Sequence, residues 1–152
     1  MISNNLGNCL ITGSSGFVGS RLTDLLFKSG NKIKFISRSH SNNFDVEKCD
    51  FLTEDIPIGF FQGIDTVFHL AGLAHDTNNS SSKDDFIKIN IDATRKLADI
   101  ASRQSVKRFI FLSSVKASEN LPNNLNVSRK GLYGYTKEKA EQELIKITQK
   151  SD

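Results

Sequence analysis

The segment Thr12-Gly13-Ser14-Ser15-Gly16-Phe17-Val18-Gly19 constrains this chain more than any other, because of what stands on either side of it. Before it runs Asn8-Cys9-Leu10-Ile11-Thr12, a short apolar run of strand character. After it Val18, Leu22, Leu25 and Leu26 recur at helical spacing on one face, and Gly30 stops the helix. A glycine-rich turn set directly between a strand and a helix aims backbone amides and the helix N-terminus at one crevice, where an anion is favoured. Within it Gly13 permits the tight turn, Gly16 lets a pyrophosphate approach the backbone, and Gly19 allows the helix to pack closely on the strand.

Strand and helix periods go on alternating to the end of the chain. Lys32 to Ser37 reads as a second strand, Arg38 to Asn43 as polar loop, and Asp45 to Phe51 as a short third strand of weaker character. Asp65 to Ala71 is the near-continuous apolar run of a central parallel strand. His75 to Lys83, rich in Asn, Ser and Thr, reads as exposed loop and hands over through Ser82, with Asp85 three residues later, to a helix carrying Phe86, Ile89, Ala93, Leu97 and Ile100. Lys107 to Ser113 makes a fifth strand, Glu119 to Lys130 a loop, and Tyr133 to Lys150 the last helix. The expected fold is therefore α/β: a Rossmann-like, doubly wound parallel sheet of order 3-2-1-4-5 with helices on both faces. One domain over residues 1–152 is expected, its ligand lying across the switch point at the C-terminal edge of the strands.

Composition removes several classes of function. A chain of 152 residues, 38% hydrophobic and 24% charged, builds one core, and no apolar run approaches the ~18 residues of a membrane span. Met1 to Asn8 lacks a basic stretch followed by a long apolar one, so a cytoplasmic protein with no membrane partner is expected. The net charge of +3 comes from basic and acidic residues scattered along the chain, without the dense Lys/Arg clusters of a nucleic-acid footprint. Cys9 and Cys49 fall in predicted strands and read as buried thiols; no cluster has zinc spacing, and no metal is expected.

The spacing Gly-x-x-Gly-x-x-Gly, within Thr-Gly-x-x-Gly-Phe-Val-Gly, resembles the extended group of the short-chain dehydrogenase/reductase superfamily. That group includes the NAD-dependent epimerases, dehydratases and reductases of nucleotide sugars, and the resemblance covers nearly the whole chain. It implies NAD or NADP as cofactor, bound by Gly13, Ser15, Gly16, Phe17, Val18 and Gly19, and by Leu70, Ala71 and Gly72, where small residues leave room for the dinucleotide. At the end of the second strand an acidic residue would select NAD; the residues are Ser37-Arg38, and Arg38 tilts the reading toward NADP, although it can equally stack on adenine or be a solvated charge. Asp50-Phe51 matches the family's pair near the adenine, where the carboxylate accepts the exocyclic amine; a plain turn Asp is the alternative. His69 points from a central strand and reads as a satisfied core histidine, and His40 as surface.

Tyr133-Gly-Tyr-Thr-Lys137 opens the last helix, with the phenol and the ammonium four residues apart on one face. A free Tyr is a poor base at neutral pH, but a nearby positive charge favours its phenolate. The resemblance gives Tyr133 the role of acid/base toward a sugar hydroxyl, while Lys137 also holds the nicotinamide ribose. Tyr135 is a competing phenol, and the lysine four residues after Tyr133 decides for Tyr133. Ser114 best matches the family's hydroxyl past the fifth strand, positioned for the substrate oxygen and the Tyr. Ser113 faces the other way in an extended segment, and either serine can instead bond its own backbone. Asn90 matches the family's Asn in the helix after the fourth strand; if buried it needs hydrogen-bond partners, and otherwise it is solvated. His75, in the loop after the fourth strand, lies nearer the expected substrate than His69 and is a candidate substrate contact, with an exposed loop residue as the alternative.

Phe-Leu-Ser-Ser-Val-Lys and His-Leu-Ala-Gly-Leu-Ala-His most resemble nucleotide-sugar epimerases and keto-sugar reductases of surface-polysaccharide pathways, which implies a UDP-sugar substrate. Family members often pair as homodimers through the fourth and fifth helices. The group normally continues into a further strand and a C-terminal substrate-binding domain, so residues 1–152 are expected to be either the Rossmann domain of an enzyme truncated before that part or a fragment that binds dinucleotide without turning over a sugar. A non-catalytic NAD(P)-binding or interaction module is therefore the alternative expectation.

Overall fold

The structure, a computed structural model, describes residues 6–39, 45–74, 81–118 and 129–149. Two compact units are present: Met1–Ala71 with Ile100–Leu112, and Gly72–Asp99 with Ser113–Asp152.

The first unit is built on five parallel strands: β1 (Cys9–Thr12), β2 (Ile33–Ser37), β3 (Asp45–Lys48), β4 (Thr66–His69) and β5 (Arg108–Phe111). Their order is β3-β2-β1-β4-β5, the doubly wound order expected. Registers pair Thr12 with Ile36 and His69, and His69 with Phe111, so these side chains share one face. Cys9 and Ile11 point to the other face and form a core with Phe35, Phe68 and Leu26 of the helix α1 (Phe17–Lys28). Cys9 and Cys49 are both buried free thiols, and burial raises both pKa values, that of Cys49 to about 11.

Two local expectations in this unit, the end of β3 and the buried face of α1, need correction. β3 ends at Lys48, not Phe51, because Asp50 starts a turn: its carboxylate accepts the Leu52 amide at 2.9 Å and its carbonyl accepts the amides of Thr53 and Glu54. Cys49 and Phe51 therefore lie outside the strand. On α1 the buried residues are Gly19, Thr23 and Leu26, while Val18 and Leu25 are exposed, so the buried stripe runs through small residues. The link between β3 and β4 contains a 3-10 turn, Ile58–Phe61, which buries Phe61 completely.

The second unit holds α2 (Lys83–Ile87), the start of α3 (Ala93–Arg103) and α4 (Arg129–Thr148), with a π-turn over Lys88–Asp92 between α2 and α3. Ser82 caps α2 in a box with Asp85, as the sequence predicts. β5 stops at Phe111 rather than Ser113, and a 3-10 turn, Val115–Ser118, follows. α4 begins at Arg129 rather than Tyr133: Gly131 and Gly134 dilute the helical signal, yet a side chain on Gly134 would overlap the Lys116 carbonyl, so that glycine lets the helix pack on the 3-10 turn.

Candidate functional site

In the first unit the glycine turn presses against the end of β4. Gly13 has φ +75°, and a Cβ there would lie 2.5 Å from the Ala71 nitrogen. A Cβ on Gly19 would overlap the Gly13 oxygen and lie 2.9 Å from Ser14 Cα, so Gly19 packs on the turn itself rather than on the strand. At Gly16 the nearest atom to a Cβ is the Gly13 oxygen at 3.4 Å, which leaves the outer side open. Among the described residues no side chain caps α1, and no acidic residue lies in its first turn to offset the positive end of the helix. Ser15, Gly16, Phe17 and Val18 are exposed, and the Arg21 guanidinium lies 3.7 Å over the Phe17 ring.

Behind the turn, Thr12 and His69 are completely buried and joined at 2.7 Å from Oγ1 to Nδ1, and the Ala71 amide donates to the same Thr12 oxygen at 3.2 Å. Phe51 stands edge-on to the His69 ring and Phe111 stacks on it. Arg38 is exposed at the end of β2. A cavity of about 400 Å³ opens at the opposite, N-terminal ends of the strands, lined among others by Asn8, Phe27, Asn31 and Ile33. The Asn8 and Asn31 amides there are committed to the carbonyls of Gly63 and Leu26.

In the second unit the π-turn brings Asn90, 1% exposed, onto two neighbours. Its Oδ1 accepts the Leu73 amide at 2.7 Å, and its Nδ2 donates to the Leu73 carbonyl and to Thr136 Oγ1, each at 3.0 Å. Thr136 in turn donates to the Tyr133 carbonyl at 3.0 Å. One side chain thus ties the segment after β4 to the turn of α4 that carries Tyr133 and Lys137. Replacing it with leucine should leave the Leu73 groups unpaired and cost about 3 kcal/mol in urea unfolding; a loss below about 1 kcal/mol would show the clamp to be idle.

Lys137 is 3% exposed, and its Nζ would lie 3.6 Å from a Cβ on Gly72, so the bare glycine leaves room beside the amine. Burial pushes its pKa down to about 8, against the pull of Glu141 the other way. Tyr133 is half-buried one helical turn earlier. Tyr135 also has a lysine four residues on, Lys139, so that spacing does not separate the two phenols; burial does, because Tyr135 is packed away with the Lys139 ammonium 5.6 Å over its ring. Ser114 Oγ accepts the Lys116 amide at 3.2 Å, which starts the 3-10 turn, while Ser113 Oγ is buried without a partner. His75 and His40 lie outside the described residues. Thr12 and His69 lie in motifs the sequence displays, and His69 is the satisfied core histidine expected, but their pairing carries no sequence signal; Thr136 belongs to the Tyr133–Lys137 segment without a role of its own there, its one signal being a polar residue at a buried position.

No group of three or more His, Cys, Asp or Glu among the described residues is placed to hold a metal ion, and no described helix is long and apolar enough to cross a membrane.

The family model for the NAD dependent epimerase/dehydratase family matches residues 9–152. The chain belongs to this family. It is 29% identical over 122 residues to a 3 beta-hydroxysteroid dehydrogenase/Delta 5-->4-isomerase of Mycobacterium tuberculosis, covering 74% of this chain and 33% of that protein. It is 30% identical over 158 residues to a UDP-glucose 4-epimerase of Vibrio cholerae, covering 93% and 47%. Among solved structures it matches MoeE5 in complex with UDP-glucose and NAD with a TM-score of 0.74 and 26% identity, over 93% of this chain and 49% of that one. The chain thus spans between a third and about half of these relatives' lengths.

Proposed function

We propose that this member of the epimerase/dehydratase family carries the dinucleotide and acid/base half of a cytoplasmic NAD(P)-dependent enzyme that oxidises a carbinol carbon of a UDP-sugar destined for a surface polysaccharide. What carries the reading is Lys137, an amine almost wholly buried beside a bare glycine and one helical turn after a half-exposed tyrosine. A pKa of about 8 still leaves it mostly charged at pH 7, as favouring a phenolate requires.

The residues of the first turn fit a dinucleotide. Gly16 offers the open approach for a pyrophosphate, and the uncapped α1 N-terminus supplies amides and a positive field. When bound, the nicotinamide accepts or returns a hydride. The chain's own groups move the proton: the Tyr133 side chain exchanges it with the substrate hydroxyl, Ser114 donates a hydrogen bond to the same oxygen, and Lys137 sets a positive charge one helical turn after that tyrosine. Asn90 and Thr136 keep that turn of α4 in place. The exposed Arg38 supports NADP, while the NAD complex of MoeE5 supports NAD; competition between the two dinucleotides decides.

The test is to incubate the chain with NAD or NADP together with UDP-sugars, or with a 3β-hydroxysterol as the competing class, and to follow nicotinamide absorbance and dinucleotide affinity. Turnover of a UDP-sugar should fall about 100-fold or more in Tyr133→Phe with affinity unchanged within a few fold. Sterol turnover alone would transfer the reading to the steroid class. Binding with no turnover would leave a dinucleotide-binding module, and a fold that neither dinucleotide stabilises at millimolar concentration would sink the proposal.

A further inference from the structure

His69 takes no part in the chemistry proposed above, yet it is completely buried at the end of a central strand. Its ring is stacked on Phe111 at 5.7 Å between centroids and met edge-on by Phe51 at 6.4 Å. The polar group that meets it on β1 is the Thr12 hydroxyl, 2.7 Å from Nδ1. Thr12 is the last residue before Gly13, and Gly13 lies against Ala71 so closely that any Cβ would collide with the Ala71 nitrogen.

A hydroxyl has one proton to donate and two lone pairs. That of Thr12 receives the Ala71 amide at 3.2 Å and has His69 Nδ1 as its other neighbour. Thr12 is completely buried, so among the described residues a proton not given to Nδ1 has no other acceptor. The bond therefore runs from Thr12 O–H to an unprotonated Nδ1, and the ring carries its proton on Nε2. An imidazole with a proton on Nδ1 would push a second N–H at the same oxygen and strand the hydroxyl proton.

We propose that His69, held as the neutral Nε2–H tautomer, is a positioning residue for the glycine turn. By accepting the Thr12 proton it keeps the Thr12 lone pair turned to the Ala71 amide, and so locks the end of β1 to the end of β4. The two edges joined in this way are those that flank Gly13 and lead into Gly72. Loosening the lock frees the turn without removing any group that touches the dinucleotide. Its effect on binding presupposes the dinucleotide site proposed above; the tautomer does not.

Imidazole nitrogen-15 NMR of the chain at neutral pH reads the tautomer directly. The expected result is an unprotonated Nδ1 and a protonated Nε2 for His69 in the wild type and in Thr12→Ser, with the Nδ1 signal shifted in Thr12→Val. Exchange of the Gly16 amide, which is bonded to the Gly13 carbonyl at 3.1 Å, reads the order of the turn without any ligand. It should quicken about tenfold in Thr12→Val and in His69→Phe, which keeps the stacking and deletes the acceptor, and should stay at the wild-type rate in Thr12→Ser. NAD(P) affinity should follow the same pattern. A protonated Nδ1 in the wild type overturns the tautomer and the proposal with it. Unchanged Gly16 exchange in both deletion variants overturns the positioning role even if the tautomer is right. Ordered exchange differences with no dinucleotide binding in the wild type would uphold the lock and refute the proposed cofactor instead.

Discussion

Gly19→Ala should unfold the glycine turn, whereas Gly16→Ala, three residues away in the same motif, should leave it folded and unable to bind. A Cβ on Gly19 overlaps the Gly13 oxygen and also lies 2.9 Å from the Gly13 carbonyl carbon and Ser14 Cα. Every one of these atoms is backbone, so no side chain can swing aside, and Gly19 is buried where α1 meets the turn. Relief requires α1 to move away from the sheet, which gives up part of the packing of Leu26 against Cys9, Ile11 and Phe35. The expected cost is at least about 3 kcal/mol, read as a melting temperature lower by roughly 10 °C in a domain of this size. At Gly16 the added methyl meets one atom at ordinary contact distance, 3.4 Å, and otherwise points outward. Stability should therefore change by less than about 1 kcal/mol, while the methyl occupies the approach proposed for the pyrophosphate and lowers dinucleotide affinity at least about tenfold. A Gly19→Ala protein as stable as the wild type would refute the packing described here. A Gly16→Ala protein that binds normally would move the phosphates elsewhere.

The same contrast explains what was legible in the sequence and what was not. Sheet order was legible because β1, β2, β4 and β5 contain short apolar runs, and the helical periods that come after β1, β4 and β5 leave chain connectivity few arrangements. The buried stripe of α1 was not, because counting large apolar residues favours Val18 and Leu25, while the face against the turn is made of Gly19 and Thr23, which a close approach requires. Asp50 ended β3 early by the same kind of local competition, a side chain offering the backbone a turn in place of the ladder. In the candidate site, Tyr133, Lys137, Ser114 and Asn90 are singled out by type and order alone. What holds them is not: the π-turn around Asn90 leaves the residue pattern of Ile87 to Asp92 indistinguishable from that of an α-helix, and Thr136 looks like any helix threonine until its hydroxyl is seen between Asn90 and the Tyr133 carbonyl. A lysine four residues on, the ground for choosing Tyr133, follows Tyr135 as well in Lys139, and burial distinguishes the two phenols.

Lys137 should make the folded chain gain stability as the pH rises, the reverse of what a salt-bridged lysine does. Its pKa is lowered from 10.5 to about 8 because burial penalises the charged form. Between these values the unfolded chain holds a proton that the folded chain has released, and stability rises with pH wherever the unfolded state binds more protons. Below about pH 8 both states are charged and the full penalty is present; it is relieved between about 8 and 10.5 and is gone above. The shift corresponds to about 3 kcal/mol at most. Lys137→Met keeps the length of the side chain and has nothing to titrate, so its unfolding free energy should lack this rise when both proteins are melted in denaturant from pH 7 to 10.5. If the wild type shows no such gain relative to the methionine variant, the amine is better solvated or better paired than its burial implies. The same penalty gives the proposed chemistry its character: an ammonium kept charged at neutral pH at a cost to folding is a group whose field is little screened by water, and it stands one helical turn from the tyrosine proposed to move the proton.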